Sequence, residues 1–237
     1  MKRILEPELL DELPADDPRA IRSRRDLQRV NWWMGHAGIL KNIFSASFPP
    51  GRTPKAIVEL GAGDGTFLLE VAGQMAGLWP EVEVLLVDRQ NVISQETVER
   101  FAGFGWRARV VQADVFEWLS GGEGADIITA NLFLHHFRED QLIRLLKGCV
   151  ARAGIFCALE PRRTKFASLA KKLLWLIGCN AVTRHDAFVS IRAGFFGNEL
   201  STLWPAGPGW ELREWEAGIF SHALVAQKRT GVASGDA

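Results

Sequence analysis

The stretch Val58-Glu59-Leu60-Gly61-Ala62-Gly63-Asp64-Gly65-Thr66 decides the fold. It leads from an apolar run, Ala56-Ile57-Val58-Glu59-Leu60, through three glycines at alternate positions into a helical pattern over about 64–78. Glycine is needed where the backbone takes positive φ or lies against a ligand with no Cβ between them. The first turn of a helix adds free N–H groups that polar ligand atoms can use. A dinucleotide-binding turn, G-x-G-x-x-G, would place glycine at position 66, and threonine stands there. That spacing weakens a nicotinamide reading.

Working outward, short apolar runs alternate with amphipathic stretches. Strands are predicted over 82–87, 109–112, 126–131 and 155–159, the last stopped by Pro161. Helices are predicted from an N-cap at Ser94 to Phe104 and over 139–151. Five strands joined by helical crossovers imply parallel β/α units, with a sheet covered on both faces. A helix over 165–177 and a glycine- and proline-rich stretch follow, and 210–215 with 222–227 predict an antiparallel hairpin at the sheet edge. The expected fold is α/β, a doubly wound, mostly parallel seven-stranded sheet. Residues 1–50 are expected to form an irregular acidic arm and a helical cap, 51–229 the main domain with an insertion at 178–205, and 230–237 a frayed tail.

Composition narrows the function. Lysine plus arginine (28) equals aspartate plus glutamate (28), which argues against a protein that coats nucleic acid. The odd number of cysteines, three with no CxxC spacing, argues against a disulfide framework or a thiolate metal site, so no metal is expected. The opening residues carry acids where a secretory signal needs an apolar stretch, and the charge-free run 173–183 is about half a membrane span. A cytoplasmic protein is expected. There is no tyrosine, which removes any chemistry that needs a phenol as acid or base.

Asp88 ends the second strand, where it can accept from both hydroxyls of a ribose, and Asp114 ends the third, where it can accept from an exocyclic amine of adenine. Ligands of open α/β sheets lie outside the carboxyl ends of the strands, where both acids fall. With the glycine turn, these residues make 55–161 resemble the class I S-adenosylmethionine-dependent methyltransferases. Glu59 to Gly65 is similar to their acidic-x-G-x-G-x-G motif, Asp88 to their ribose-binding acid, and Ala113-Asp114-Val115 to their adenine-side segment. The stretch Asp126 to His136, ending Leu134-His135-His136, resembles the fourth-strand segment of small-molecule members. The resemblance implies S-adenosylmethionine as cofactor, held by Glu59, Gly61, Ala62, Gly63, Gly65, Asp88, Arg89, Asp114, Val115 and Asn131. Asn131 is not followed by Pro-Pro-aromatic, the mark of members that methylate amino groups of nucleic-acid bases or protein glutamine.

Methyl transfer from a sulfonium needs an aligned nucleophile and, at oxygen, a base for its proton. His135 is the first candidate, since in some members a histidine four residues after the Asn131 position is catalytic; helix capping or packing explains it equally. His185, between Arg184 and Asp186, is the second candidate, with Arg184 as an anion binder and a helix start with Asp186 near an N-cap as the plain reading. Trp33, Met34 and His136 are further acceptor-side candidates. The basic-then-apolar run Lys171 to Ile177 is best read as a helix packed on the domain, with a membrane-surface contact as the less favoured alternative. The expected activity is transfer of a methyl group to a small organic acceptor, at oxygen of an aromatic or polyketide-like metabolite. Rival readings are C-methylation of a similar or lipid-like acceptor, a nicotinamide-dependent oxidoreductase, and a nucleoside-binding protein without turnover.

Overall fold

A computed structural model describes residues 2–48, 51–165, 167–205, 207 and 209–229. The expected tail, 230–237, lies outside them. The chain begins as an extended arm with a single helical turn, Leu9–Glu12 (α1), followed by Pro18–Met34 (α2) and His36–Ser47 (α3). Asp17 caps α2 by accepting from the Arg19 N–H, Pro18 takes the first helical position, and Gly35 at φ +67° breaks α2 from α3.

Strict alternation follows: Ala56–Leu60 (β1), Thr66–Met75 (α4), Val82–Asp88 (β2), Gln95–Gly103 (α5), Trp106–Gln112 (β3), Val115–Gly121 (α6), Ala125–Asn131 (β4), Glu139–Arg152 (α7) and Ala153–Pro161 (β5). Ala167–Leu176 (α8), Ala181–Ala193 (α9) and Glu199–Leu203 (α10) precede the hairpin Trp210–Glu216 (β6) and Ser221–Lys228 (β7). The seven strands lie in the order β3-β2-β1-β4-β5-β7-β6, with β7 antiparallel to both neighbours and the other pairs parallel. The seven-stranded, mostly parallel sheet is therefore as expected.

Apolar residues alternate between two buried layers, Ile57, Val84 and Ile127 packing on one face and Val58, Ile128 and Phe156 on the other. The register matters most for function. Leu60 pairs with both Val87 and Ala130, and Asn131 with Leu159, so the carboxyl ends of four strands finish level. Three expectations shift. Helix α4 starts at Thr66 because Gly65 is left-handed, β5 runs through Pro161 instead of stopping before it, and α9 is capped by Asn180, which accepts from the Thr183 N–H, and not near Asp186.

Candidate active site

Gly61, Gly63 and Gly65 all adopt left-handed φ, but each answers a different demand. A Cβ on Gly61 would meet the Phe133 ring at 2.2 Å, and one on Gly65 would press on Leu86 at 3.1 Å. At Gly63 a Cβ would meet nothing within 4 Å, and that residue borders a cavity of about 960 Å³. Gly61 and Gly65 allow packing; Gly63 leaves room.

The same cavity is bordered by Glu59, Ala62, Asp88, Arg89, Asp114 and Val115. Asp88 accepts from the Gly63 N–H (2.8 Å) and the Gln90 N–H (2.7 Å), which fixes its carboxylate at the tip of β2. Asp114 caps α6 through the Phe116 N–H (2.8 Å) while bordering the cavity. Glu59 is buried, its Oε2 has no hydrogen-bond partner, and burial, reinforced by the charges of Asp64 and Asp88, raises its pKa well above the usual carboxylate range. An orphaned buried carboxyl is costly unless a donor meets it. These groups fit the donor molecule that the resemblance implies: Glu59 for its ammonium, Asp88 for its vicinal hydroxyls, and the turn at Gly63 for close approach.

At the tip of β4, Asn131 Oδ1 lies 2.9 Å from His36 Nδ1, and His36 Nε2 lies 2.8 Å from the Ser221 hydroxyl. An amide oxygen only accepts, so Nδ1 carries the proton and Nε2 accepts from Ser221. Burial outweighs these contacts and pushes the His36 pKa down to about 4, leaving a neutral ring that fixes Asn131. Leu132 follows at φ +50°, a left-handed conformation that costs a branched residue roughly 1–2 kcal/mol. The strain turns the N–H groups of Phe133, Leu134 and His135 onto the Glu160 carboxylate at 3.0, 2.7 and 3.2 Å.

Glu160, fully buried at the tip of β5, also holds His135: Nδ1 lies 2.8 Å from its Oε2. The other ring nitrogen, Nε2, lies 3.2 Å from Oε1 of Glu8 in the arm. The arm is far from loose. Arg3 donates to the carbonyls of Ala193 (2.8 Å), His135 (3.2 Å) and Phe137 (3.2 Å), Asp186 accepts from the Leu9 and Leu10 N–H groups (2.8 and 3.0 Å), and the Ser190 hydroxyl donates to Glu8. Residues 3–10 thus form a strap across the cavity. Burial alone would depress the His135 pKa; hydrogen bonds and charge from Glu160 and Glu8 outweigh it and raise it to about 9. Burial alone would raise Glu8, but the same contact brings it down to about 2. Glu8, His135 and His136 also present ligand atoms within 4.8 Å of one another, a spacing a divalent cation could bridge.

Of the expected acceptor-side residues, Trp33, Met34, His135 and His136 border the cavity, and Arg184 and His185 do not. Arg184 donates to the Cys179 carbonyl, and His185 Nδ1 lies 3.0 Å from Asp186 on a partly exposed face of α9. Gly65 is likewise behind the turn and outside the cavity wall. Sequence reasoning missed Glu160, Glu8 and Arg3. For Glu160 a signal existed, an acid at the tip of an otherwise apolar strand, as with Asp88; for Glu8 and Arg3 there was none.

Comparison with known proteins agrees with this geometry. Residues 57–153 match the model of a family described as a methyltransferase domain. Over 162 residues the chain is 28% identical to the 3-amino-4-hydroxybenzoate 4-O-methyltransferase of Streptomyces cremeus, covering 63% of this chain and 42% of that protein. Over 137 residues it is 23% identical to the carboxy-S-adenosyl-L-methionine synthase of Nautilia profundicola, covering 57% and 54%. The matches thus span about half the length of these curated relatives. Among solved structures, the plantazolicin methyltransferase BpumL in complex with SAH superposes with a TM-score of 0.65 at 14% identity, covering 90% of this chain and 92% of that one. The pyocyanin biosynthetic protein PhzM gives 0.61 at 17% identity, covering 94% and 62%. A strand order with one antiparallel intruder, a glycine turn with acids on the next two strand tips, and a matching family model converge on one assignment: residues 57–153 match a methyltransferase domain, carried on a Rossmann-like methyltransferase fold.

Proposed function

We propose that the chain methylates an oxygen of a small, largely apolar organic acceptor, with His135 receiving the hydroxyl proton. The observation that carries this is the Glu160–His135 pair, which borders the same cavity as the glycine turn and the strand-tip acids. S-adenosylmethionine supplies a methyl group on a sulfonium, so the leaving group is built in and the protein has to align and deprotonate. As the new O–CH₃ bond forms and the CH₃–S bond breaks, the hydroxyl proton passes to His135 Nε2. Glu160 holds Nδ1–H, fixes the tautomer and stabilises the imidazolium.

In the closed strap Nε2 is committed to Glu8 and the ring is protonated at neutral pH. The acceptor hydroxyl therefore takes the place of Glu8, whose withdrawal removes one of the two carboxylate contacts that hold the proton. Leu27, Val30, Phe137 and Leu173 border the cavity beyond this point, supporting an apolar acceptor body. The Streptomyces relative, which by name methylates a phenolic oxygen, supports an aromatic hydroxyl. In this reading the arm and α2, which border the cavity between Leu5 and Met34, and the 178–205 insertion are the acceptor-side walls, and the three buried free thiols suit a reducing, cytoplasmic setting. Among the described residues no helix is long and apolar enough to cross a membrane. The test is a panel of hydroxylated aromatic acceptors read by mass spectrometry. An O-methyl product whose formation drops at least a hundredfold in His135→Ala is expected; a C- or N-methyl product, or full turnover in the variant, refutes the role given to His135.

A further inference from the structure

At the mouth of the cavity two helices turn large apolar side chains to solvent. On α2, Trp32 is 71% and Trp33 58% exposed; on α8, Trp175 is 64% and Leu176 70% exposed. Trp33 and Leu176 also border the cavity. Arg22 of α2 donates to the Gly178 carbonyl just past α8 (3.2 Å), so the two helices meet on one rim. Single exposed apolar residues are ordinary, but a contiguous patch marks an interaction site.

Charge singles out the same rim. Helix α2 carries five arginines, of which Arg19 pairs with Asp17 at the N-cap and Arg29 with the buried Asp26, leaving Arg22, Arg24 and Arg25 without a carboxylate partner among the described residues, and α8 carries two lysines and no acid. This surplus sits in a chain whose charges balance overall. Arg22, Arg25, Arg29 and Trp33 recur at helical spacing, as do Leu169, Lys172 and Leu176, so each helix sets cations and apolar groups on one stripe. The opposite stripe of α8, Ala167-Ala170-Leu174, is buried, and on α2 Ala20, Ser23 and Asp26 are buried beside the exposed stripe. A second copy of the chain would set these cations against themselves. An anionic bilayer attracts them, while tryptophan settles at headgroup depth.

We propose that this rim docks on an anionic lipid bilayer, and that an amphiphilic acceptor enters the cavity from it, its polar head toward His135 and its apolar tail toward Leu176. The entry of the acceptor rests on the methyl-transfer reading; the docking does not. The test is flotation of the full chain with vesicles of mixed phosphatidylglycerol and phosphatidylcholine, compared with phosphatidylcholine alone. Partition onto the anionic vesicles is expected, falling about tenfold in high salt and about tenfold in a Trp32→Ser/Trp175→Ser double variant. Neither tryptophan borders the cavity, so the affinity of the double variant for S-adenosylhomocysteine, measured by calorimetry, stays within about twofold and reports that it is folded. Docking is overturned if the parent ignores anionic vesicles, or if the double variant binds them undiminished. It is also overturned if light scattering finds a dimer that the double variant dissolves, which would give the rim to a second copy. A parent that gives no heat with S-adenosylhomocysteine would overturn the methyl-transfer reading and leave the vesicle result standing.

Discussion

The end of the cavity that we assign to the methyl donor is made by one local turn and two strand-tip acids, while the end that we assign to the acceptor is made by partners far apart in the chain. Gly63 finds Asp88 across adjacent strands, and Asp114 caps the helix that follows it. His135, by contrast, is completed by Glu8 from the arm, and the arm is held by Asp186 of α9. Damage at the donor end should therefore abolish binding and weaken the fold together. Damage at the acceptor end should alter chemistry while the donor still binds.

The largest expected effect tests the first half. Gly61→Ala places a Cβ against the Phe133 ring at 2.2 Å in a left-handed backbone. A loss of about 2–4 kcal/mol in denaturant unfolding is expected, with affinity for S-adenosylhomocysteine falling at least about a hundredfold. Gly63→Ala sharpens the contrast, since its Cβ meets no protein atom. It should cost only about 1 kcal/mol of stability for the left-handed φ and still obstruct the ligand. Equal stability losses in the two variants would show that the turn has no ligand-facing side.

His135→Ala comes next: calorimetric affinity for S-adenosylhomocysteine within about twofold of the parent, and turnover down by roughly 10²–10⁴. A smaller but more specific effect follows from Glu8→Gln. Because the folded His135 pKa is raised to about 9 from 6.5, its contribution to stability is complete below about 6.5 and is lost as pH climbs through 9. The melting temperature should fall across that window. In Glu8→Gln the fall should be shallower and end at lower pH, since one of the two carboxylates that hold the proton is gone. For the same reason the acid limb of the kcat/KM profile, which reports the free enzyme, should move down in pH. An unchanged limb would show that His135 is not the titrating base.

The two ends differ in legibility for a physical reason. Strand periodicity, the glycines from Gly61 to Gly65, and acids at strand tips are local patterns, so the mostly parallel sheet and the glycine turn could be read from the residues themselves, whereas the order of the strands, set by contacts between distant segments, could not. The hairpin could be read too, because β6 and β7 adjoin in sequence. The partners of His135 could not be, because nothing near Glu8 encodes contact with a strand tip on the other side of the sequence. An acidic, proline-punctuated arm looks the same whether it docks or floats. The expectation of a packed α8 was half right: Ala167, Ala170 and Leu174 are buried, while the next apolar residues, Trp175 and Leu176, stand in solvent.

The smallest effects separate two residues that adjoin in sequence. The Asp186 carboxylate accepts from the Leu9 and Leu10 N–H groups and so caps the first turn of the strap. Asp186→Asn keeps one acceptor oxygen and removes the charge, and a loss of about 1 kcal/mol is expected. The acceptor KM should change because the strap carries Glu8, while the affinity for S-adenosylhomocysteine stays constant. His185 touches that same carboxylate (3.0 Å) from a partly exposed position outside the cavity wall. His185→Ala therefore leaves Asp186 its two backbone donors, and it should change stability by no more than about 0.5 kcal/mol and turnover by less than about twofold. If His185→Ala instead lowered turnover as far as His135→Ala does, across pH 6 to 8, the acceptor would have to reach α9 from the outside. The division of the cavity into a donor end on the strand tips and an acceptor end under the strap would then be wrong.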